Sequence, residues 1–173
     1  DTMDQEDVPS EDFAGVYDQS RYFDEDYKPT LIEIAKNVLA EKDGITVHEL
    51  ALDIANLHDL SRTSKKQREL IDELLAPWAG IQDDGLHKPV VWSSPDNIVD
   101  EMPWRGLDPW GYERDWSDIP YPEAKGLARL ALQKQPNDPV DYICNEFKLK
   151  RRYEKTLGEF QAWVDEVGFN AGG

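Results

Sequence analysis

Residues 54–75, I-A-N-L-H-D-L-S-R-T-S-K-K-Q-R-E-L-I-D-E-L-L, constrain this chain more than any other stretch, because a weaker copy follows 89 residues later at 143–164. At that offset Ile54/Ile143, Asn56/Asn145, Leu60/Leu149 and Arg62/Arg151 are identical, while Leu74/Trp163 and Leu75/Val164 are both apolar. Each copy reads as the end of one helix, a short polar turn, and a second helix with a basic first turn and an apolar flank. The pattern predicts two helix-turn-helix units in tandem. A length of 173 residues accommodates two small domains or one of medium size.

Around the first copy, Leu31, Ile34, Ala35, Val38 and Leu39 recur at helical spacing over residues 29–40, and Lys42-Asp43-Gly44 ends that helix. Ile45 has room for one short strand. Thr46 is an N-cap with Glu49 three places on, so a second helix over 47–58 buries Leu50, Ala51, Ile54 and Leu57. Residues 61–64 turn the chain, and a third helix over 65–76 buries Leu70, Ile71, Leu74 and Leu75 before Pro77 stops it. Asp84-Gly85, followed by Val90-Val91-Trp92, predicts a β-hairpin. Three helices and a hairpin are the order of a winged helix, expected here over residues 29–94.

Residues 95–118 combine Pro95, Pro103 and Pro109 with Trp104, Trp110 and Trp116. Such a segment is no regular helix and is too apolar for a solvated linker, so it is expected to be a connector packed across the joint between the units. The second unit, residues 119–173, starts with Pro122 at a first helical position and a stripe of Ala124, Leu127, Leu130 and Ala131. Asp138 then caps a helix lined by Val140, Ile143, Cys144 and Phe147, about one turn shorter than its counterpart. A final helix over 151–167 is expected to bury Tyr153, Leu157, Phe160, Trp163, Val164 and Val167, with no length left for a complete wing. The expected fold is mainly α: two tandem winged-helix-like units, the first with a hairpin wing, joined by a Trp/Pro-rich connector.

Charge bears on function through its distribution. The net charge of −17 argues against unselective nucleic-acid binding, since phosphate affinity comes from clustered Lys and Arg. Residues 1–26, however, hold ten acids against Arg21 alone. Residues 1–28 therefore read as an acidic linker, disordered by composition or else docked through Phe13, Tyr17, Tyr22, Phe23 and Tyr27; a third possibility is a DNA mimic covering the basic turns. Nine of the 19 bases fall in two short clusters, residues 62–68 and 148–155. Arg62, Lys65, Lys66 and Arg68, with the hydroxyls of Thr63 and Ser64, fit contact with phosphates or base edges at the start of a recognition helix. Lys148, Lys150, Arg151, Arg152 and Lys155 repeat the pattern. Bases at a helix N-terminus oppose its dipole, so two such clusters destabilise the fold unless an anion meets them. Protein contact competes with nucleic acid as the reading, because winged helices also serve as docking modules.

Other chemistry finds little footing. His48, His58 and His87 are scattered and Cys144 is the single cysteine, so no zinc site, disulfide or other cofactor site is expected; His48 and His58 read as surface residues near helix ends, and Cys144 as a core residue. No phosphate-binding glycine loop is present, and carboxylate pairs arise by chance among 36 acids, so no catalytic role is expected. With no long apolar run in the sequence, neither a membrane span nor a signal peptide is expected, and one cysteine fits a reducing, cytoplasmic setting. An opening Asp1 in place of Met is expected of a segment of a longer protein.

The motifs Asp43-Gly44-Ile45-Thr46-Val47-His48, Leu60-Ser61-Arg62-Thr63-Ser64, and Asp83-Asp84-Gly85 leading to Val91-Trp92 carry a family resemblance. The most specific is Glu113-Arg114-Asp115-Trp116-Ser117-Asp118-Ile119-Pro120 joined to Pro122-Glu123-Ala124. Over residues 31–167 the chain resembles an uncharacterised domain found near the C-terminus of large superfamily I DNA helicase-related proteins, often after a Vsr-like endonuclease-type domain. The resemblance implies a noncatalytic module, with DNA and the parent's helicase and nuclease domains as partners. The second unit departs from the pattern at Leu149-Lys150-Arg151-Arg152-Tyr153, where Gly-Phe-x-Arg-Thr is expected.

Overall fold

The computed structural model describes residues 17–172. Among them are six α-helices and one three-stranded antiparallel sheet, so the fold is mainly α. The chain divides into two compact units: residues 17–82 with Pro89–Ile98, and Asp83–Lys88 with residues 99–172.

In the first unit, α1 (Lys28–Glu41) is followed by β1 (Ile45–Thr46), α2 (Val47–Leu57), α3 (Lys65–Leu75), β2 (Gly80–Gln82) and β3 (Val90–Trp92). The strand order is β1-β3-β2, with Ile45 opposite Val91 and Ile81 also opposite Val91. Gly44 makes the passage from α1 into β1 possible: its φ is +71°, and a Cβ there would meet the Trp92 ring at 2.6 Å. Thr46 then caps α2 by accepting the Glu49 N–H at 3.0 Å. Leu31, Ile34, Leu39, Ile45, Leu50, Ile54, Ile71, Leu75 and Val91 fill the core. Leu57, expected inside, is 39% exposed because α2 ends there.

The acidic-linker expectation for residues 1–16 lies outside the described residues. Residues 17–28 are packed: two 3₁₀ turns, Gln19–Arg21 and Glu25–Tyr27, bring Tyr22 and Tyr27 to 1% exposure. Both rings, with that of Tyr17, lie edge-on to His58. His58 is accordingly a buried residue, 2% exposed, and not the surface histidine expected from its place at a helix end.

The second unit holds α4 (Tyr121–Lys134), α5 (Pro139–Glu146) and α6 (Glu154–Gly172). Ala124, Ala128 and Ala131 on α4 are small enough to admit Phe147, Phe160 and Trp163, and Cys144 shares this core. The segment expected to be a separate connector is divided: Pro95–Ile98 belongs to the first unit, the rest to the second. Trp104 and Trp116 pack edge-on against Phe147 and Phe160 respectively. At Gly126 the absent side chain lets the backbone cross α4, since a Cβ would overlap the Met102 carbonyl oxygen. Asp84-Gly85 does not form a tight two-residue turn between β2 and β3. Asp84 instead accepts the Leu86 and His87 N–H groups and binds His87 Nδ1 at 2.7 Å, and the His87 ring stacks on Tyr121 at 3.6 Å.

Candidate nucleic-acid interface

The repeated sequence is a repeated backbone. In the first unit Asp59 takes a left-handed φ of 61°, and the Asp59 and Leu60 N–H groups donate to Asn56 O at 3.1 Å and Ala55 O at 2.9 Å. In the second, Lys148 has φ 54°, and Lys148 and Leu149 donate to Asn145 O and Cys144 O, both at 3.1 Å. Each helix is thus closed by the same turn, with the leucine at its end. The next helix opens at the same offset too, at Lys65 and at Glu154.

The first turn is built from polar caps. Ser64 and Gln67 form a reciprocal capping box, Ser64 Oγ accepting the Gln67 N–H at 3.1 Å and Gln67 Oε1 accepting the Ser64 N–H at 2.8 Å. Arg68 Nη1 donates to the Thr63 carbonyl and hydroxyl oxygens at 3.1 and 3.0 Å. Both hydroxyl oxygens therefore already accept a bond, leaving their O–H protons to donate. Arg62, Lys65 and Lys66 are exposed and make no ion pair or hydrogen bond among the described residues. The first turn of α3 holds no acid and the last no base, so its charges oppose the dipole at both ends. Glu69, Asp72 and Glu73 follow on the exposed face, which confines any anion contact to the first turn. Behind the turn, His58 Nδ1–H donates to Ile54 O at 2.7 Å, and Nε2 lies 2.5 Å from the Tyr27 hydroxyl. The carbonyl accepts only, which puts a proton on Nδ1; in that neutral tautomer the tyrosine is the donor to Nε2.

The second cluster is arranged differently from the expected one. Because α6 starts at Glu154, Lys148, Lys150, Arg151 and Arg152 lie in the turn and only Lys155 is helical. Arg152 is a staple: it binds Asp141 at 2.5 Å and Asn145 Oδ1 at 3.1 Å, tying the turn to α5. Gln135 Nε2 also donates to Asp141, at 2.9 Å, and this bond first and the Arg152 bond next hold the Asp141 carboxyl below the usual range. Lys148 pairs with Glu113 at 3.4 Å, with both side chains largely exposed. Lys150, Arg151 and Lys155 are exposed and make no pair among the described residues. Tyr153, expected in the core, is 61% exposed.

The strongest polar constellation in the second unit escaped the sequence reading. Glu123 is fully buried and accepts from Arg114 at 2.8 and 2.6 Å and from the Arg105 side chain at 3.0 and 2.7 Å. Arg114 also donates to Gly106 O at 2.6 Å and lies over the rings of Trp104 and Trp110, 5.1 and 4.9 Å from their centroids. Burial pushes the Glu123 carboxyl up, but the arginine hydrogen bonds outweigh it and hold it below the usual range. Both Glu123 oxygens are engaged, and Glu123 and Arg114 are closed to solvent with Arg105 at the edge, so the cluster's role is to fold the 99–118 segment onto α4. Its signal was the Glu113-Arg114-Asp115-Trp116 and Pro122-Glu123-Ala124 motif, which carries the pair.

Burial pushes the Cys144 thiol up, as befits a core residue. Among the described residues no cluster of His, Cys, Asp or Glu has the makeup of a metal site, and no helix is long and apolar enough to cross a membrane. Comparison with family models, curated proteins and solved structures finds no match to the chain.

Proposed function

We propose that the chain is a noncatalytic, cytoplasmic nucleic-acid-positioning module, and that the start of α3 in the first unit is its DNA contact. The observation that carries this reading is the set of exposed bases Arg62, Lys65 and Lys66, without a partner among the described residues and set at the start of α3 by the Ser64–Gln67 capping box. The order α1-β1-α2-α3-β2-β3, with a β1-β3-β2 antiparallel sheet, supports a winged-helix assignment for the first unit; the second repeats its helix-turn-helix. In such a fold α3 is the recognition helix. The resemblance to helicase-related proteins supplies the setting, a parent chain whose motor and nuclease domains act on the DNA that this module holds.

A second reading rests on Glu69, Asp72 and Glu73. An acidic face below the basic turn repels a duplex laid along α3 and suits docking on a basic surface of the parent's motor or nuclease domain. The experiment is an electrophoretic shift of duplex and forked DNA by the intact chain, compared with the triple charge reversal R62E/K65E/K66E. A shift that weakens with salt and is abolished by the reversal is expected. Absence of any shift at low salt overturns the DNA reading, and salt-insensitive association with the motor fragment establishes docking.

A further inference from the structure

The 89-residue offset pairs Tyr153 with Ser64. Both hold the N-cap place: the Ser64 carbonyl accepts the Arg68 N–H at 3.1 Å, and the Tyr153 carbonyl accepts the Leu157 N–H at 3.0 Å. Ser64 uses its hydroxyl as a cap. A phenol oxygen at the far end of a ring does not reach the first N–H groups of its own helix, so the second unit forgoes this cap. It does so for a residue that is 61% exposed and whose ring meets no other aromatic ring among the described residues. The chain on either side supplies Lys150, Arg151 and Lys155, all exposed and without a partner among the described residues. Arg152 meanwhile anchors the turn to Asp141 and Asn145, so the ring is presented from a stapled segment. A local stability rule broken without a gain in burial marks a functional position.

An exposed ring among bases is the pairing that single-stranded nucleic acid requires: stacking on the base, cations on the phosphates at either side. A duplex keeps its base faces covered and offers the ring nothing. We propose that Tyr153, with Lys150, Arg151 and Lys155, is a stacking site for an unpaired base of single-stranded nucleic acid. The inference rests on the nucleic-acid reading of the chain and assigns the second unit a different strand state from the first.

The test is fluorescence anisotropy at low salt with the full 173-residue chain. The ligands are a labelled single strand of about 16 nucleotides, a blunt duplex of the same length, and a labelled poly-glutamate of matched charge. The variants are Y153S and Y153F. Y153S restores the residue type of the capped unit and therefore melts no lower than the unaltered chain, so a binding loss is not a folding loss. The expected result is about a tenfold weaker single-strand affinity for Y153S, within the range of one lost stacking contact, with duplex affinity unchanged. Y153F keeps the stacking face and the affinity. The proposal is overturned if the unaltered chain does not bind the single strand, if Y153F loses as much as Y153S, or if the loss is equal on single strand and duplex. Poly-glutamate bound as tightly as the single strand overturns it in favour of an acidic peptide partner. R62E/K65E/K66E read on duplex alone tests the first unit, so either reading can fail without the other.

Discussion

The two units share a turn and differ in almost everything mounted on it. Ile54, Asn56, Leu60 and Arg62 match Ile143, Asn145, Leu149 and Arg151. The same left-handed residue and the same two backbone bonds then appear in both units. Few residues therefore suffice to specify the turn, because the two bonds that close it are between main-chain groups. The surrounding solutions diverge. Beside its apolar core, the first unit has a small sheet, a capping box and the His58–Tyr27 hydrogen bond. The second has no strand among its described residues; an aromatic core and the Arg105–Arg114–Glu123 cluster hold it. Phe147 stands where the first unit has His58, and Tyr153 where it has Ser64.

The largest break in this comparison is at Glu123. Glu123→Gln leaves two arginines without their counter-charge, one of them buried, and is expected to cost the second unit about 3–5 kcal/mol, measured by urea unfolding. The first unit, which does not contain Glu123 or its arginines, keeps its transition. A loss below about 1 kcal/mol contradicts the buried-pair account. Acid separates the units in the same direction. A carboxyl held below its unfolded value contributes stability above that value and loses it as pH falls through the folded one. In the second unit this applies to Glu123, where the arginine bonds overcome burial, and to Glu101, where Arg129 does so. The second unit is therefore expected to lose stability more steeply below about pH 4, followed by circular dichroism across an acid titration.

Next in size is His58→Phe, which installs the second unit's residue in the first. It strands the Tyr27 hydroxyl and the Ile54 carbonyl without their ring partner and is expected to cost about 1–3 kcal/mol of first-unit stability. A neutral result shows that the tyrosine cage holds by burial alone. The smallest effect comes from exchanging caps: Ser64→Ala is expected to cost about 1 kcal/mol and Tyr153→Ser to gain up to a similar amount, read as shifts in thermal midpoint. A gain at Tyr153 strengthens the view that stability there is set aside for binding.

What the sequence made legible were features with local signatures. Helical spacing located α1 to α5, and Thr46 and Asp138 marked caps that the structure contains. The repeat offset placed both turns. The failures came from tertiary context. His58 carries no sequence mark of burial; the tyrosines that enclose it lie more than 30 residues earlier, in a stretch whose acidity reads as linker. Tyr153 sits at helical spacing with Leu157 and Phe160, yet it precedes the first turn of α6 and turns outward. Aligning it with Ser64 at the repeat offset would have marked it as a cap position. The Arg114–Glu123 pair, nine residues apart across a Pro-rich bend, follows no period and was visible only as an unusual motif.

The salt dependence of duplex binding by the intact chain probes the first-unit contact most directly. Three exposed bases, Arg62, Lys65 and Lys66, give an expected slope of log K against log salt of about −3. In R62E/K65E/K66E that slope collapses toward zero together with the affinity. A steep slope that survives the reversal, or no duplex binding at low salt, contradicts the assignment of the start of α3 as the DNA contact.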